Sequence, residues 1–172
     1  MLVSLIAAMD RNRVIATEDG IPWELPRDRE HFRCYTRGKA MLLGRVTYLE
    51  MRGWFTTQLP IVLSSQSALP ARHTAASVPE AIALAGQLGA PELVVSGGAQ
   101  VYRAAMPHVD TMVLTLIDAR CGDGKSFPEW IAGEWVERSS RGYEADADNP
   151  FAFRIVTLER RRHHQIPNSS GR

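Results

Sequence analysis

Two rhythms of apolar and polar positions alternate along this chain. Leu2–Met9 (LVSLIAAM) is almost continuously apolar, as a strand buried on both faces would be. Residues 10 to 25 follow with Asp, Asn, Gly and Pro22 and no clear period, which predicts a loop. At about 15 residues it is longer than most connections, and ordered loops of that length tend to be functional. A helix is predicted from Pro26, a residue suited to a first turn, to about Arg37 before Gly38. Short apolar runs predict strands at Ala40–Leu43, closed by Gly44, and at Pro60–Leu63, ending in Ser64-Ser65. Further strands are predicted at Glu92–Val95, broken by Ser96-Gly97-Gly98, and at Met112–Ile117. Helical patterns fill the intervals at Arg45–Met51, at the AIALAGQL stretch and at Ala99–Met106. Ser77 followed by Glu80 forms a capping box ahead of the second of these. Trp135–Glu144 and Phe151–Glu159 read as antiparallel strands joined by the turn residues Asp146–Pro150.

This order predicts an α/β fold, a doubly wound, mostly parallel sheet with an antiparallel edge and helices on both faces. No internal repeat is visible. At 172 residues one domain is the default, taken here as 1–162, with the polar tail 163–172 expected to be disordered. The basic run that opens this tail at Arg160 reads as a frayed end or as a binding arm. With 20 Lys+Arg against 19 Asp+Glu, a net charge of +1 gives no general attraction to nucleic acid or to an anionic membrane. Cys34 and Cys121 make no disulfide framework, and without a CxxC they make no zinc site; two free thiols in a reducing compartment are expected. Leu2–Met9 is far short of the ~20 residues needed to span a bilayer and has no basic leader before it. A soluble, cytoplasmic monomer is expected.

In open α/β sheets, ligands sit beyond the carboxyl ends of the strands. Ser96-Gly97-Gly98 lies at such an end. It is either a cradle in which backbone N–H groups approach a phosphate or a tight turn that merely needs glycine. Gly44-Arg45-Val46-Thr47 is a second strand-to-helix turn, where Arg45 could fork onto a phosphate and Thr47 could cap the helix or donate to the anion. Ser64-Ser65 ends a third strand. An arginine and two serines, with no acid to meet a ribose hydroxyl, suit a 2′-phosphate and therefore NADPH over NADH. Asp28 stands in the first turn of a helix that must pack on the sheet, with Phe32 on the same face. It is either a solvated partner of the helix dipole or an acid at the floor of an apolar cleft.

The pieces SLIAAMDRNRVI, IPWELPRD, the following Phe, MLLGRVTY, IVLSSQ, VVSGGAQVY, LTLIDA, FPEW and LERR occur in order from Val3 to about Arg161. In this series the chain closely resembles dihydrofolate reductases of the bacterial chromosomal type. The resemblance implies an eight-stranded sheet flanked by four helices and an NADPH-dependent reduction of 7,8-dihydrofolate to tetrahydrofolate, with hydride added at pterin C6 and a proton at N5. It makes Asp28 the catalytic anchor, accepting hydrogen bonds from the pterin 2-amino group and N3. Thr115 and Trp23 support it, and Ile6, Ala7, Ala8, Phe32, Met51 and Phe55 form apolar walls. Arg29, Gln58, Ser96 and Tyr102 complete the substrate side. The cofactor side comprises Ala8, Ile15, Ala16, Gly44, Arg45, Val46, Thr47, Leu63, Ser64, Ser65, Ser96, Gly97, Gly98, Ala99, Gln100, Val101 and Tyr102. Segment 10–25 corresponds to a mobile lid.

Several positions depart from the family pattern. Gln58 stands where an arginine pairs with the α-carboxylate of the folate glutamate, and Arg29, Arg33 or Arg52 could compensate. Ser96 replaces an aliphatic residue and makes the pocket more polar. Ala99 replaces a glycine, and so does Ala16, which would be strained if its backbone needed positive φ. Gly122-Asp123-Gly124-Lys125 matches the lid's partner loop only loosely. These departures leave room for a same-fold reductase acting on a pterin or pyrimidine without a glutamyl tail. A non-enzymatic NADPH-binding module is a further alternative.

Overall fold

The computed structural model describes residues 1–66 and 69–161; the tail 163–172 lies outside the described residues. Strand β1 (Leu2–Met9) forms the centre of an eight-stranded sheet. The other strands of this sheet are β3 (Ala40–Gly44), β4 (Leu59–Leu63), β5 (Thr74–Ala75), β6 (Glu92–Val95), β7 (Thr111–Ile117), β9 (Trp135–Tyr143) and β10 (Phe153–Arg160). Their spatial order is β5-β4-β3-β6-β1-β7-β10-β9. The six strands from β5 to β7 run parallel, and β10 is antiparallel to both of its neighbours, which makes the β10–β9 edge antiparallel.

The period-two alternation of the strands sorts the core between two faces. Ile6, Val94 and Val113 lie on one face, against Phe32 and Tyr35 of helix α1 (Pro26–Thr36). Leu5, Ala7, Leu42, Val95 and Leu114 lie on the other. There they meet Val78, Ala81 and Ala85 of α3 (Val78–Gln87) and Val101 and Ala105 of α4 (Ala99–Ala105). The fourth helix, α2 (Arg45–Glu50), follows β3 and has no buried residue. Ser77 caps α3 as its sequence predicts, accepting from the Glu80 N–H at 3.3 Å, while Glu80 reaches back to the Ala76 N–H at 2.9 Å.

Three short strands have no counterpart among the predicted segments: β5 at the edge of the main sheet, and two that tie down segment 10–25. Within segment 10–25, β2 (Val14–Ala16) pairs antiparallel with β8 (Lys125–Ser126), and the two form a separate small sheet. The ribbon closes because Gly124 has no side chain: a Cβ there would run into the Ala16 carbonyl. Ala16 itself carries no positive φ; among the described non-glycine residues only Arg13 does, at 61°. The strain contemplated for Ala16 is therefore absent. The buried Asp10 carboxylate pins the start of the segment by accepting the N–H groups of Asn12, Val14 and Cys121, each at 2.8 Å. Trp23 and Leu25 anchor its end in a cluster with Ile117 and Phe153.

The start of α1 has no side-chain cap of its own, since Leu25 occupies the N-cap. The cap comes from the connection between β9 and β10. Buried Asn149, held by the Asp146 carboxylate, accepts the Arg27 N–H on its Oδ1 at 3.1 Å. This contact fixes the turn that carries Asp28. Asn149→Ala is expected to lower the unfolding free energy by about 1–2 kcal/mol in urea titration, the usual worth of a lost N-cap. An unchanged midpoint would show that α1 does not depend on this contact.

Candidate functional site

The carboxyl ends of β1, β3, β6 and β7 meet in one line of contacts. Gly44 at the end of β3 donates its N–H to the Gly97 carbonyl at 2.8 Å. Gly97, at φ 108°, packs so closely on Tyr102 that a Cβ would lie 3.2 Å from the phenol oxygen. The Tyr102 hydroxyl donates to the Ile6 carbonyl at 2.8 Å. Two residues on, Ala8 is in register with Thr115 of β7. The Thr115 hydroxyl donates to Asp28 Oδ1 at 2.6 Å. The Gly-rich turn and the acid, read separately from the sequence, are thus joined by one series of contacts along the carboxyl ends of these strands.

Asp28 is only half-buried as a residue, yet its carboxyl group is largely shielded from water. Burial pushes its pKa above the ordinary carboxylate value; the Thr115 hydroxyl and the nearby His31 pull it part of the way back. Oδ1 is occupied by Thr115, and no side chain among the described residues donates to Oδ2. Asp28 is therefore not a solvated partner of the helix dipole but a desolvated acid with one open oxygen. His31, one turn further along α1, is affected in the opposite sense, since burial lowers its pKa while the Asp28 charge raises it. The Tyr102 phenol is fully enclosed and pushed far up by burial, so it acts as a neutral hydrogen-bond donor.

The remaining expected residues fall into three groups. Ile6 and Trp23 are both buried, Ile6 in the cluster that Phe32 of α1 packs on and Trp23 in a cluster that includes Ala8. Ala7 turns its side chain to the opposite face, into the core against α3 and α4, so only its backbone belongs to the cleft. Phe32 opens an aromatic wall through Trp54 (ring centroids 5.4 Å apart), Phe55 (5.7 Å from Trp54) and Tyr48 (5.9 Å from Phe55), with half-buried Met51 at the end of α2. Ser96 is buried, and its hydroxyl donates to the Val94 carbonyl at 3.1 Å, so that proton is spent within its own strand and not offered to the cleft.

On the side of the glycine turn, Gly44 lies against Val101 and the Gly97-Gly98 backbone, and Thr47 Oγ1 is 3.5 Å from where a Gly98 Cβ would stand. Ala99 and Gln100 open α4. Leu63 is in register with Gly44, which brings Ser64 and Ser65 beside exposed Arg45 and Val46. Arg45 has no acidic partner among the described residues. Ile15 packs on the core from β2, with Ala16 next to it.

Two candidates sit away from the role the sequence suggested. Arg29 is exposed and 3.5 Å from Glu24. Gln58 is buried and uses its amide oxygen on the turn before it, accepting the N–H groups of Thr56 and Thr57 at 2.9 and 3.2 Å. Arg33 instead lies over the Trp54 ring at 5.8 Å, exposed and without an acidic partner among the described residues. Trp54 and His31 were not anticipated. The i, i+3 spacing of His31 from Asp28 was the available signal for the second.

A separate groove of about 520 Å³ is lined by Met9, Leu116, Trp130 and three arginines. It contains none of these groups, and each of its arginines already has an acidic partner: Arg11 with Asp118, Arg13 with Glu129 and Arg154 with Glu137. Among the described residues no three His, Cys, Asp or Glu side chains cluster to hold a metal, and no helix is long and apolar enough to cross a membrane.

Known proteins match nearly all of the chain. The family model for dihydrofolate reductase matches residues 2–160. Dihydrofolate reductase type 3 of Salmonella typhimurium is 34% identical over 162 residues, covering 94% of this chain and 100% of that protein. The dihydrofolate reductase of Neisseria meningitidis is 36% identical over 153 residues, covering 81% and 91%. The solved structure of the Enterococcus faecalis dihydrofolate reductase, complexed with NADP(H) and RAB-propyl, superposes with a TM-score of 0.84 at 28% identity, covering 94% of this chain and 97% of that one. The match to the family model, to whole-length relatives and to a solved structure of the same topology agrees throughout, and the chain belongs to the dihydrofolate reductase family of NADPH-dependent oxidoreductases.

Proposed function

We propose that this enzyme reduces 7,8-dihydrofolate to tetrahydrofolate with Asp28 as the ionisable anchor of the pterin ring. The observation that carries this reading is the shielded Asp28 carboxylate, held on one oxygen by Thr115 and open on the other. The 2-amino group and N3 of a pterin present two parallel donors, and a carboxylate accepts such an edge in a bidentate manner. In an apolar setting that pairing is stronger than in water and fixes both the ring's orientation and its tautomer. Ile6, Ala8, Phe32, Met51 and Phe55 supply flat apolar surface, and Trp23 closes the cleft behind the acid. Asp28 orients the ring and does not itself protonate N5; that proton comes from solvent admitted as segment 10–25 moves.

The glycine turn fits a dinucleotide. Side chains at Gly97 or Gly98 would fill the space against Tyr102 and Thr47, and Arg45 stands free to meet a phosphate. Gly44, Thr47, Gly97, Gly98, Ala99, Gln100 and Val101 hold the pyrophosphate and nicotinamide ends. Arg45, Ser64 and Ser65 take the 2′-phosphate, the feature that selects NADPH. When bound there, NADPH supplies the hydride. Tyr102 keeps the turn in place through its bond to Ile6, and β2 with Ile15 and Ala16 shields the site from water. The Gln58 oxygen is committed to its own turn and the side chain carries no charge, so Arg33 on the aromatic rim supplies the cation that receives a carboxylate of the glutamyl tail.

The relatives reported above all bear the name dihydrofolate reductase, and nothing among them favours a tail-less substrate. The enzyme acts as a cytoplasmic monomer on a small molecule; its two free cysteines suit a reducing compartment.

Asp28→Asn is expected to lower turnover of dihydrofolate at neutral pH by about 100- to 1,000-fold, as removal of a preorganised electrostatic partner does. Its affinity for NADPH, read by fluorescence titration, is expected to stay within about twofold, because Asp28 makes no direct contact with the glycine turn that would hold the dinucleotide. Wild-type turnover in this variant would refute the anchor. Arg33→Ala is expected to raise KM for dihydrofolate about two- to fivefold, the worth of an exposed ion pair, and to leave KM for tail-less dihydropterin unchanged. An equal rise for both substrates would remove Arg33 as a tail contact.

A further inference from the structure

We propose that His31 is a positioning residue for the pterin anchor. Its imidazole, one turn beyond Asp28 on α1, makes the acid ionise as one member of an Asp28–His31 pair and not as an isolated carboxylate. This rests on the reading of Asp28 as the anchor.

The placement of His31 is not that of a packing residue. Its Nε2 is shut off from solvent and has no hydrogen-bond partner among the described residues. Its ring lies tilted toward Tyr35 with centroids 6.3 Å apart, on the helix side that faces Ile6, Val113 and Ile155. An apolar ring would fill that space without leaving a buried polar atom unsatisfied, which ordinarily costs about 1–3 kcal/mol. What an imidazole adds is charge. On a helix, side chains three residues apart are neighbours, and the carboxylate at that spacing is Asp28.

The other titratable and charged groups around this face are engaged elsewhere. On α1, Tyr35 donates to Glu92, Arg27 pairs with Asp146 and Arg33 lies over Trp54. From β6, Glu92 is held by Lys39 and by the Ser4 hydroxyl. From α4, Tyr102 donates to the Ile6 carbonyl. On β9, Arg141 lies over the Tyr143 ring. The charge that acts on His31 is that of Asp28, and His31 acts on Asp28 in return.

Such coupling must be reciprocal: if a protonated His31 makes Asp28 harder to protonate, an ionised Asp28 makes His31 easier to protonate by the same free energy. At neutral pH burial keeps the imidazole uncharged. As the solution is acidified and Asp28 begins to take up its proton, the imidazolium opposes that uptake. The carboxylate therefore stays ionised, and competent to hold the pterin edge, to lower pH than burial alone would allow.

The test is an NMR titration of the full chain from about pH 4 to pH 8, the range in which both groups change charge. It follows the Asp28 carboxyl carbon and the His31 ring in the wild type, in His31→Phe, in His31→Gln and in Asp28→Asn. Both His31 variants are expected to raise the Asp28 midpoint by about 0.5–1.5 units, a range set by the Coulomb energy at helical-neighbour distance. Asp28→Asn is expected to lower the His31 midpoint by the same amount, and the acid limb of kcat/KM should follow the Asp28 midpoint in each His31 variant. A role limited to packing would move none of these. Superimposable titrations, or a shift in one partner without the reciprocal shift, would overturn the pairing while leaving the anchor intact. Full turnover in Asp28→Asn would instead overturn the anchor, and the inference with it.

Discussion

The site depends on a carboxylate kept out of water. Asp28 lies where desolvation raises its pKa, and its compensation within the protein is small: one short hydrogen bond from Thr115 and the neighbourhood of His31. Its second oxygen has no side-chain donor among the described residues. Such a group weakens the folded state, because the unfolded chain would hydrate it fully. Its use lies in the ligand, since a partly desolvated acid with an open oxygen binds a complementary pair of donors more firmly than a hydrated one can.

The fold holds that acid in register with the dinucleotide turn. Asn149 caps α1 from the β9–β10 connection and so sets where Asp28 stands, while Thr115, in register with Ala8, reaches it from β7. Tyr102 bridges from the glycine turn to the Ile6 carbonyl on the adjacent strand. These are short bonds between rigid elements, and a displacement at either end would separate the two halves of the cleft. Segment 10–25 is fixed differently. It is secured at its start by Asp10 and at its end by Trp23 and Leu25, with only a three-residue strand paired between. A lid needs firm hinges and a weakly held middle.

Much of this was legible in the chain because apolar runs and helix punctuation are local signals. The buried strands, the α3 cap at Ser77 and the glycine turn all follow from residues close in sequence. What escaped depends on contacts made at a distance. The strands β2 and β8 have three and two residues, and they pair because Gly124 lets the chain approach the Ala16 carbonyl. The Ser96 hydroxyl reads as a polar element of the cleft until its bond to Val94 is known. The tie of the Gln58 oxygen to the Thr56 and Thr57 N–H groups, which fixes that side chain in its turn, is likewise invisible in the sequence. Asp28 itself was ambiguous, since an acid in a first turn is ordinarily solvated, and only the packing of α1 on β7 distinguishes the buried case.

The central claim can be tested without substrate, through the pH dependence of stability. A carboxyl whose folded-state pKa lies above its unfolded value binds protons more readily when folded. Wild-type stability then falls as pH rises through the interval between the unfolded value of 3.8 and the raised folded value. Asn at this position carries no charge and escapes that loss. Urea unfolding of the wild type and Asp28→Asn at about pH 4 and pH 7 is therefore expected to show the variant gaining on the wild type as pH rises. A constant difference at both pH values, or a wild type that gains on the variant toward pH 7, would mean that Asp28 is as well solvated in the folded protein as in the unfolded chain, and would contradict the account.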